Sequence, residues 1–182
     1  MKGTIIVCLR DMLVEQYGQG MEQWKDLMAA VGVDRHKVIL LSTDVEDTVA
    51  LALFGEAQRR HFKSHQELAD AYGNYWSVIY APKIYFSVYK GVQSSRQFLL
   101  KLDQVHVQVS ETMANARPPR FQYEEREDGT LVVHYLSSRG LAHLYACLAR
   151  GIGNYFGENL NVQVLDETRV SIEFPEAAGK AA

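Results

Sequence analysis

The sequence predicts an α+β fold, and three observations carry that prediction. Apolar residues recur at helical spacing from the N-terminus to about Met113, alternation of period two begins only after Arg117-Pro-Pro-Arg120, and one more helical stretch separates the two segments that alternate. Helices followed by antiparallel hairpins, with a helix between them, describe helices segregated against an antiparallel sheet.

The elements follow in order. Ile5, Leu9, Met12 and Leu13 repeat at helical spacing from about Thr4, and Gly18 stands where a cap belongs. Met21 to Val31 reads as a second helix closed by Gly32, and Asp47 to Phe62 as a third with Thr43 or Asp44 as its N-cap. Ser64-His-Gln-Glu67 forms a capping box that opens a fourth helix, whose apolar face of Leu68, Tyr72, Tyr75, Trp76 and Ile79 is unusually aromatic. Loops around Pro82 and Gly91 lead to a long helix over Ser94 to Met113, with a buried stripe of Phe98, Leu102, Val105, His106, Val109 and Met113. Pro118 and Pro119 end it, because proline lacks the amide donor and biases the residue before it toward extended backbone. Phe121 to Glu125 and Thr130 to Tyr135 alternate around Asp128-Gly129 as a hairpin. Gly140 to Phe156 returns to helix, and Asn161 to Leu165 with Arg169 to Phe174 makes a second hairpin. One domain is expected over 1–176, divided near residue 63 into a helical subdomain and a second subdomain over 64–176, with 177–182 as a flexible tail.

Composition narrows the function classes. A chain of 182 residues can bury a core without staples, and its 47% hydrophobic content is that of a soluble globular domain. Cys8 and Cys147 are too few for a disulfide framework or a four-thiolate zinc site, which points to a reducing compartment. The net charge of −3, with no run of Lys or Arg, lacks the footprint of a nucleic-acid binder. The apolar run from Ile5 to Leu9 is too short for a signal-peptide core or a membrane span. A cytoplasmic protein without nucleic-acid partners or membrane insertion is expected.

Two features can carry chemistry. His106 sits within the apolar stripe of the long helix, and taken alone the spacing favours a core histidine satisfied by a backbone carbonyl or a neighbouring side chain. In Tyr135-Leu-Ser137-Ser-Arg139, alternation sets a phenol, a hydroxyl and a guanidinium on one side of an extended segment. Three such donors suit one or two carboxylates or a phosphate, since the guanidinium fork binds them bidentately. Elsewhere the signals are structural. Gly151-Ile-Gly153 lacks the third glycine of a dinucleotide fingerprint and reads as close helix packing, and the other histidines share no metal-ligand spacing. No nucleophile, base and orienting acid assemble from the spacing, so no enzyme is expected.

Taken in order, Met1-Lys-Gly-Thr-Ile5, Ala71-Tyr-Gly-Asn-Tyr-Trp76, Leu102-Asp-Gln-Val-His106, Pro118-Pro119 and Tyr135-x-Ser137-x-Arg139 resemble the H-NOX (haem nitric oxide/oxygen binding) family, from Met1 to about Phe174. Members are gas-sensing modules of bacterial signalling systems and of soluble guanylate cyclase. The resemblance implies an α+β H-NOX fold enclosing a buried haem b. It implies His106 as the proximal ligand of a ferrous iron and Tyr135, Ser137 and Arg139 as partners of the haem propionates. Pro119 matches the proline that presses on the porphyrin. Both ligand assignments agree with the residues' chemistry, since a neutral imidazole is a usual axial ligand and two propionates are the anion such a donor row suits.

The same resemblance sets Ile5, Leu9, Trp76, Tyr80, Leu144 and Leu148 around the gas. Leu144 occupies the position at which oxygen-holding members carry a tyrosine. Bound O2 gathers negative charge and needs a donor, whereas NO binds ferrous iron without one, so the expected ligands are NO and CO. The reading is a stand-alone NO sensor: NO weakens or breaks the bond from iron to His106, the haem relaxes away from Pro119, and the fold shifts to regulate a histidine kinase, or a diguanylate cyclase or phosphodiesterase, in trans. The alternative is an oxygen-binding haem protein with Tyr80 or Trp76 as distal donor. A peroxidase reading lacks a distal His or Arg, and a haem-free interaction module would keep only the fold.

Overall fold

The computed structural model describes residues 1–175 and divides into two compact units. Met1–Tyr72 forms the first together with Met113–Arg117, and Gly73–Thr112 with the chain from Pro118 onward forms the second. The division falls at Tyr72, a turn and more beyond the boundary expected near residue 63, and the segment after the long helix joins the N-terminal unit. The expected tail over 177–182 lies outside the described residues.

The first unit contains α1 (Gly3–Gln16), α2 (Met21–Ala30), α3 (Asp47–His61) and most of α4 (His65–Tyr75). Its core is drawn from the periodic positions: Ile6, Leu9, Met12 and Leu13 of α1, Trp24, Leu27 and Met28 of α2, and Ala50, Leu53 and Ala57 of α3 are all buried. Gly3 is required where it stands, because a Cβ there would lie 2.0 Å from the carbonyl oxygen of Leu40. Its N–H donates to the Thr43 carbonyl at 2.7 Å. Lys2 pairs with Asp44, whose other oxygen accepts from the Asn115 amide at 3.0 Å. That use of Asp44 corrects the expected cap of α3. Its N-cap position is Glu46, without a side-chain cap, while Thr43 Oγ1 accepts from the Leu40 N–H at 2.9 Å. The capping box of α4 is present: Ser64 Oγ accepts from the Glu67 N–H at 3.1 Å, and Glu67 reaches back one residue further than expected, to the Lys63 N–H at 2.6 Å.

In the second unit α4 runs on through a π-helical segment, Trp76–Tyr80, into α5 (Ala81–Ile84) and, after Tyr85, α6 (Phe86–Tyr89). The loop expected around Pro82 is therefore helical; Pro82 sits in the first turn of α5, where a missing N–H is tolerated. Gly91, at φ +78°, turns the chain toward α7 (Ser95–Thr112). Strands β1 (Arg120–Glu125), β2 (Leu131–Leu136), β3 (Asn161–Val164) and β4 (Arg169–Glu173) form one antiparallel sheet in the order β1-β2-β4-β3. Phe121 pairs with Tyr135 and Val133 with Val170, so inward residues of three strands meet on one face. Helix α8 (Ala142–Phe156) covers that face with Tyr145, Ala146, Ala149 and Ile152. It also crosses the start of the π segment closely, where a Cβ on Gly151 would fall 2.4 Å from the Gly73 carbonyl oxygen. The close packing read from Gly151-Ile-Gly153 is this crossing. No described helix is long and apolar enough to cross a membrane.

Candidate functional site

His106 lies in the second half of α7, and its surroundings correct one expectation. The stripe is buried only at its start, at Phe98 and Leu99; Leu102, Val105, His106 and Val109 are half-buried. Leu102 still packs against the core of the second unit, whereas Val105 and Val109 lie outside that core cluster and leave apolar surface on the same helix as the imidazole.

The imidazole is oriented from behind. Its Nδ1 stands 2.7 Å from the carbonyl oxygen of Pro119, and since a carbonyl only accepts, Nδ1 carries the proton and Nε2 keeps the lone pair. Burial holds the ring's pKa below its ordinary value, against the opposing pull of the Pro119 carbonyl and the Asp103 charge, so the ring is neutral at pH 7. Asp103 in turn locks the segment that supplies the carbonyl. Its two oxygens accept from Arg120 at 2.8 Å each, and one also accepts from the Phe121 N–H at 2.8 Å. Tyr123 adds a second anchor, donating to the Leu99 carbonyl at 2.7 Å and accepting from the Asp103 N–H at 3.3 Å.

Beside His106 the aromatic rings gather. The Phe121 ring is 5.2 Å from that of His106, 4.9 Å from Tyr145 and 6.0 Å from Tyr135. Tyr145 points into this core, off the face of Leu144 and Leu148 as its position on the helix predicts, and its buried hydroxyl has no hydrogen-bond partner among the described residues. Leu144 and Leu148, one turn apart on α8, remain half-buried among fully buried neighbours.

The three donors at the end of β2 do come together. Tyr135 is buried, its phenol bonds the Ser137 hydroxyl and feels the Arg139 charge, and Ser137 Oγ accepts from the Arg139 N–H at 3.3 Å. Burial raises the Tyr135 pKa further than these neighbours lower it, which keeps the phenol protonated as a donor. The expected extended segment is corrected: β2 ends at Leu136, and residues 138 and 139 form a turn in which Ser138 is exposed.

Trp76 and Tyr80 bound the π segment with ring centroids 5.4 Å apart, Tyr80 buried and Trp76 half-buried. Such widened turns recur at functional sites, and nothing in the composition announces this one. Ile5 and Leu9 belong to the first unit, one turn apart on α1, half-buried and buried respectively.

Among the described residues no group of three or more His, Cys, Asp or Glu could hold a metal ion. One imidazole binds iron firmly only when another scaffold supplies the remaining ligands, as a porphyrin does. The residues present fit haem on that count and two more: a half-buried apolar face around a neutral imidazole, and a gathered phenol, hydroxyl and guanidinium for propionates. The clamp from Asp103 to Arg120, the π segment and the unpartnered Tyr145 hydroxyl were not read from the sequence. The clamp had a usable signal, an acid one turn before the histidine and a base directly after the proline pair.

Residues 2–164 match the family model described as Haem-NO-binding. Two Caenorhabditis elegans proteins, soluble guanylate cyclases gcy-34 and gcy-32, are each 24% identical over 178 residues, covering 94% of this chain and 26% of the relative. The chain thus spans about a quarter of the length of these curated relatives. Among solved structures, an H-NOX protein from S. oneidensis in the Fe(II)NO ligation state superposes with a TM-score of 0.84 at 18% identity, covering 97% of this chain and 100% of that one. An oxygen-binding H-NOX domain related to soluble guanylate cyclases, in its oxygen complex, gives 0.78 at 23% identity over 97% and 96%.

Proposed function

The chain belongs to the haem-NO-binding (H-NOX) family of haem-binding gas-sensor domains related to soluble guanylate cyclase, and on that premise we propose that it senses nitric oxide through ferrous haem b ligated by His106. The observation that carries the reading is the contact of 2.7 Å between His106 Nδ1 and the Pro119 carbonyl, which leaves Nε2 as the metal-binding atom of a neutral ring.

When bound, haem b would supply a ferrous iron able to take up a diatomic gas, with His106 as the residue that would hold it. The chain's own residues do the rest. His106 would present Nε2 to the iron while its Nδ1 stays tethered to the Pro119 carbonyl. Tyr135, Ser137 and Arg139 hold the propionates, the guanidinium as a fork and the two hydroxyls as short donors. The Pro119 ring, stiff and pinned by its bonded neighbours Arg120 and Phe121, would be the residue to press on the porphyrin. Leu144 and Leu148 offer the gas an apolar surface without a donor, which favours NO and CO over O2.

The signal leaves by the polypeptide that carries His106. Helix α7 passes at Thr112 into Met113–Arg117, which belongs to the first unit, and the chain returns at Pro118 to the clamped segment of the second. A change in the His106 tether is therefore felt at both ends of one short connection. A difference of about 1–3 kcal/mol between the gas-bound and gas-free states, the usual size of allosteric coupling, suffices to regulate a partner. A cytoplasmic histidine kinase, or a diguanylate cyclase or phosphodiesterase, is the partner this reading proposes; the domain itself performs no catalysis.

One observation favours a second reading. Trp76 and Tyr80 bring an indole N–H and a phenol to one π turn, and either could serve bound O2 as a donor. Absorption spectra of the reduced protein exposed in turn to air, CO and NO separate the two. The NO-sensor reading expects no change in air and, with NO, the band of an iron that has lost its imidazole. A lasting spectral change in air establishes the oxygen reading instead.

A further inference from the structure

The first unit carries a cleft that gas binding does not use. It opens between α1, α2 and the segment 35–39, with a volume of about 170 Å³. An apolar cavity of roughly 150 Å³ accepts a benzene ring, while sites for drug-sized ligands run to about 300 Å³ and beyond. The cleft is therefore sized for one bulky apolar side chain.

Its floor and mouth are apolar. Ile6, Trp24 and Met28 are buried at the bottom, whereas Met21 and Val38 stand at the opening, 48% and 74% exposed. Both exposed residues continue the apolar surface outward, which a small ligand seated in the cleft would leave in water.

The rim has one sign. Arg10, Lys25, Arg35, His36 and Lys37 line the cleft and no Asp or Glu does, in a chain whose acidic residues outnumber its basic ones by 22 to 19. These charges are only partly answered. Arg10 is taken up by Asp11 at 2.7 Å, Lys25 and Arg35 share Glu22 at 2.6 and 3.1 Å, Arg35 also reaches Asp26 at 3.3 Å, and Lys37 alone of these four makes no ion pair among the described residues. Exposed pairs of this kind are weak and exchange readily for a partner's carboxylates.

We propose that this cleft is a docking site for an acidic amphipathic segment of the signalling partner, which inserts one large apolar side chain over Trp24 and Met28 and sets Asp or Glu against Arg35 and Lys37. A single anchor ringed by polar contacts is the usual anatomy of an interface hot spot, and the charges add selectivity and speed of encounter. The cleft also lies on a helix that can report. Ile6 and Arg10 occupy one flank of α1, about 100° around from Ile5 and Leu9. A rotation of α1 therefore changes the cleft, and that link alone rests on the gas-sensing reading.

The test uses the full haem-loaded chain and a fluorescein-labelled helical peptide with one Phe flanked by Glu one turn to either side. Anisotropy titration at low salt is expected to show saturable binding that weakens about tenfold when Phe is replaced by Ala, when Glu is replaced by Lys, or when the protein carries Lys37→Glu or Arg35→Glu. Both substitutions are on exposed side chains, and circular dichroism verifies that the variants fold. Absence of binding, equal binding of the Ala peptide, or indifference to both charge reversals overturns the proposal. So does capture by phosphatidylglycerol vesicles in place of the peptide, or loss of a self-associated state in Lys37→Glu. Repeating the titration with NO separates the two readings: an affinity that shifts supports the link to sensing, while an unchanged one overturns that link and leaves the docking site standing.

Discussion

The carbonyl oxygen of Pro119 and Nδ1 of His106 stand 2.7 Å apart across thirteen residues of chain. A helix, a connection assigned to the other unit and a proline pair intervene, so this contact is set by tertiary structure and not by local geometry. What secures it is Asp103, one turn before the histidine, which binds the two residues immediately after Pro119. The acceptor for the imidazole is held by an acid on the imidazole's own helix.

That arrangement gives a pH-dependent prediction. The bonded Arg120 guanidinium is the main reason Asp103 titrates below the ordinary carboxylate range. A carboxyl whose folded pKa is depressed contributes stability that is complete above the unfolded value, about 3.9, and lost as pH falls through the folded one. Asp103→Asn is expected to cost about 1 kcal/mol at pH 7 in urea unfolding, and the difference from the unsubstituted protein should close as pH falls through the depressed folded pKa. A gap that persists in acid means that the Asp103 charge is not what holds the segment.

The buried hydroxyl of Tyr145 yields a prediction of opposite sign. It packs among Phe121 and Tyr135 without a hydrogen-bond partner, and burying such a group costs about 1–3 kcal/mol. Tyr145→Phe keeps the ring and removes the unpaired oxygen, so it should stabilise the fold by about 1 kcal/mol and raise Tm. A lowered Tm would show that an ordered water satisfies this hydroxyl.

Helix α8 is placed by the absence of side chains at its crossing. In Gly151→Ala the new Cβ would meet the Gly73 carbonyl oxygen at 2.4 Å and Ser77 at 2.9 Å, and neither the backbone nor the buried serine can yield cheaply. The better helix propensity of alanine recovers up to about 1 kcal/mol, less than the 1–3 kcal/mol typical of overpacking. Thermal unfolding should therefore show a net loss. Because the same helix bears Leu144 and Leu148, the visible spectrum of the reduced protein should shift as well.

How much of this was legible depends on the range of the interaction. The Asp128-Gly129 turn and the capping box at Ser64 were readable because each rests on a backbone requirement met within four residues: positive φ at Gly129, and free amides at a helix start. Alternation accounts for Tyr135 but not for Arg139, because β2 ends at Leu136 and residues 138 and 139 lie in a turn. The π segment was not readable, since Trp76 to Tyr80 has the apolar pattern of an α-helix and its tie to α8, where Ser77 Oγ donates to the Leu148 carbonyl at 3.1 Å, is a contact distant in sequence. Nor was the half-burial of Val105 and Val109, because periodicity marks an apolar face without saying what covers it. Thr43 and Asp44 had the chemistry of caps and were taken by Leu40, Lys2 and Asn115 instead.

If the proposed NO-sensing reading holds, Leu144 is where the gas preference can be reversed. It sits half-buried on α8, one turn before Leu148, and offers no hydrogen to a ligand. Bound O2 draws negative charge from ferrous iron and gains from a donor, whereas NO gains little. A charge-assisted hydrogen bond contributes about 1.5–3 kcal/mol, so Leu144→Tyr should slow O2 release by roughly ten- to a hundredfold while barely changing NO binding. Flash photolysis and stopped-flow displacement by CO measure the two rates. Should O2 release be unaffected while the added phenol is shown by its spectrum to be buried, the apolar side of α8 does not face the gas. The choice between gases would then fall to Trp76 and Tyr80, whose single substitutions to Phe would have to alter the same rate.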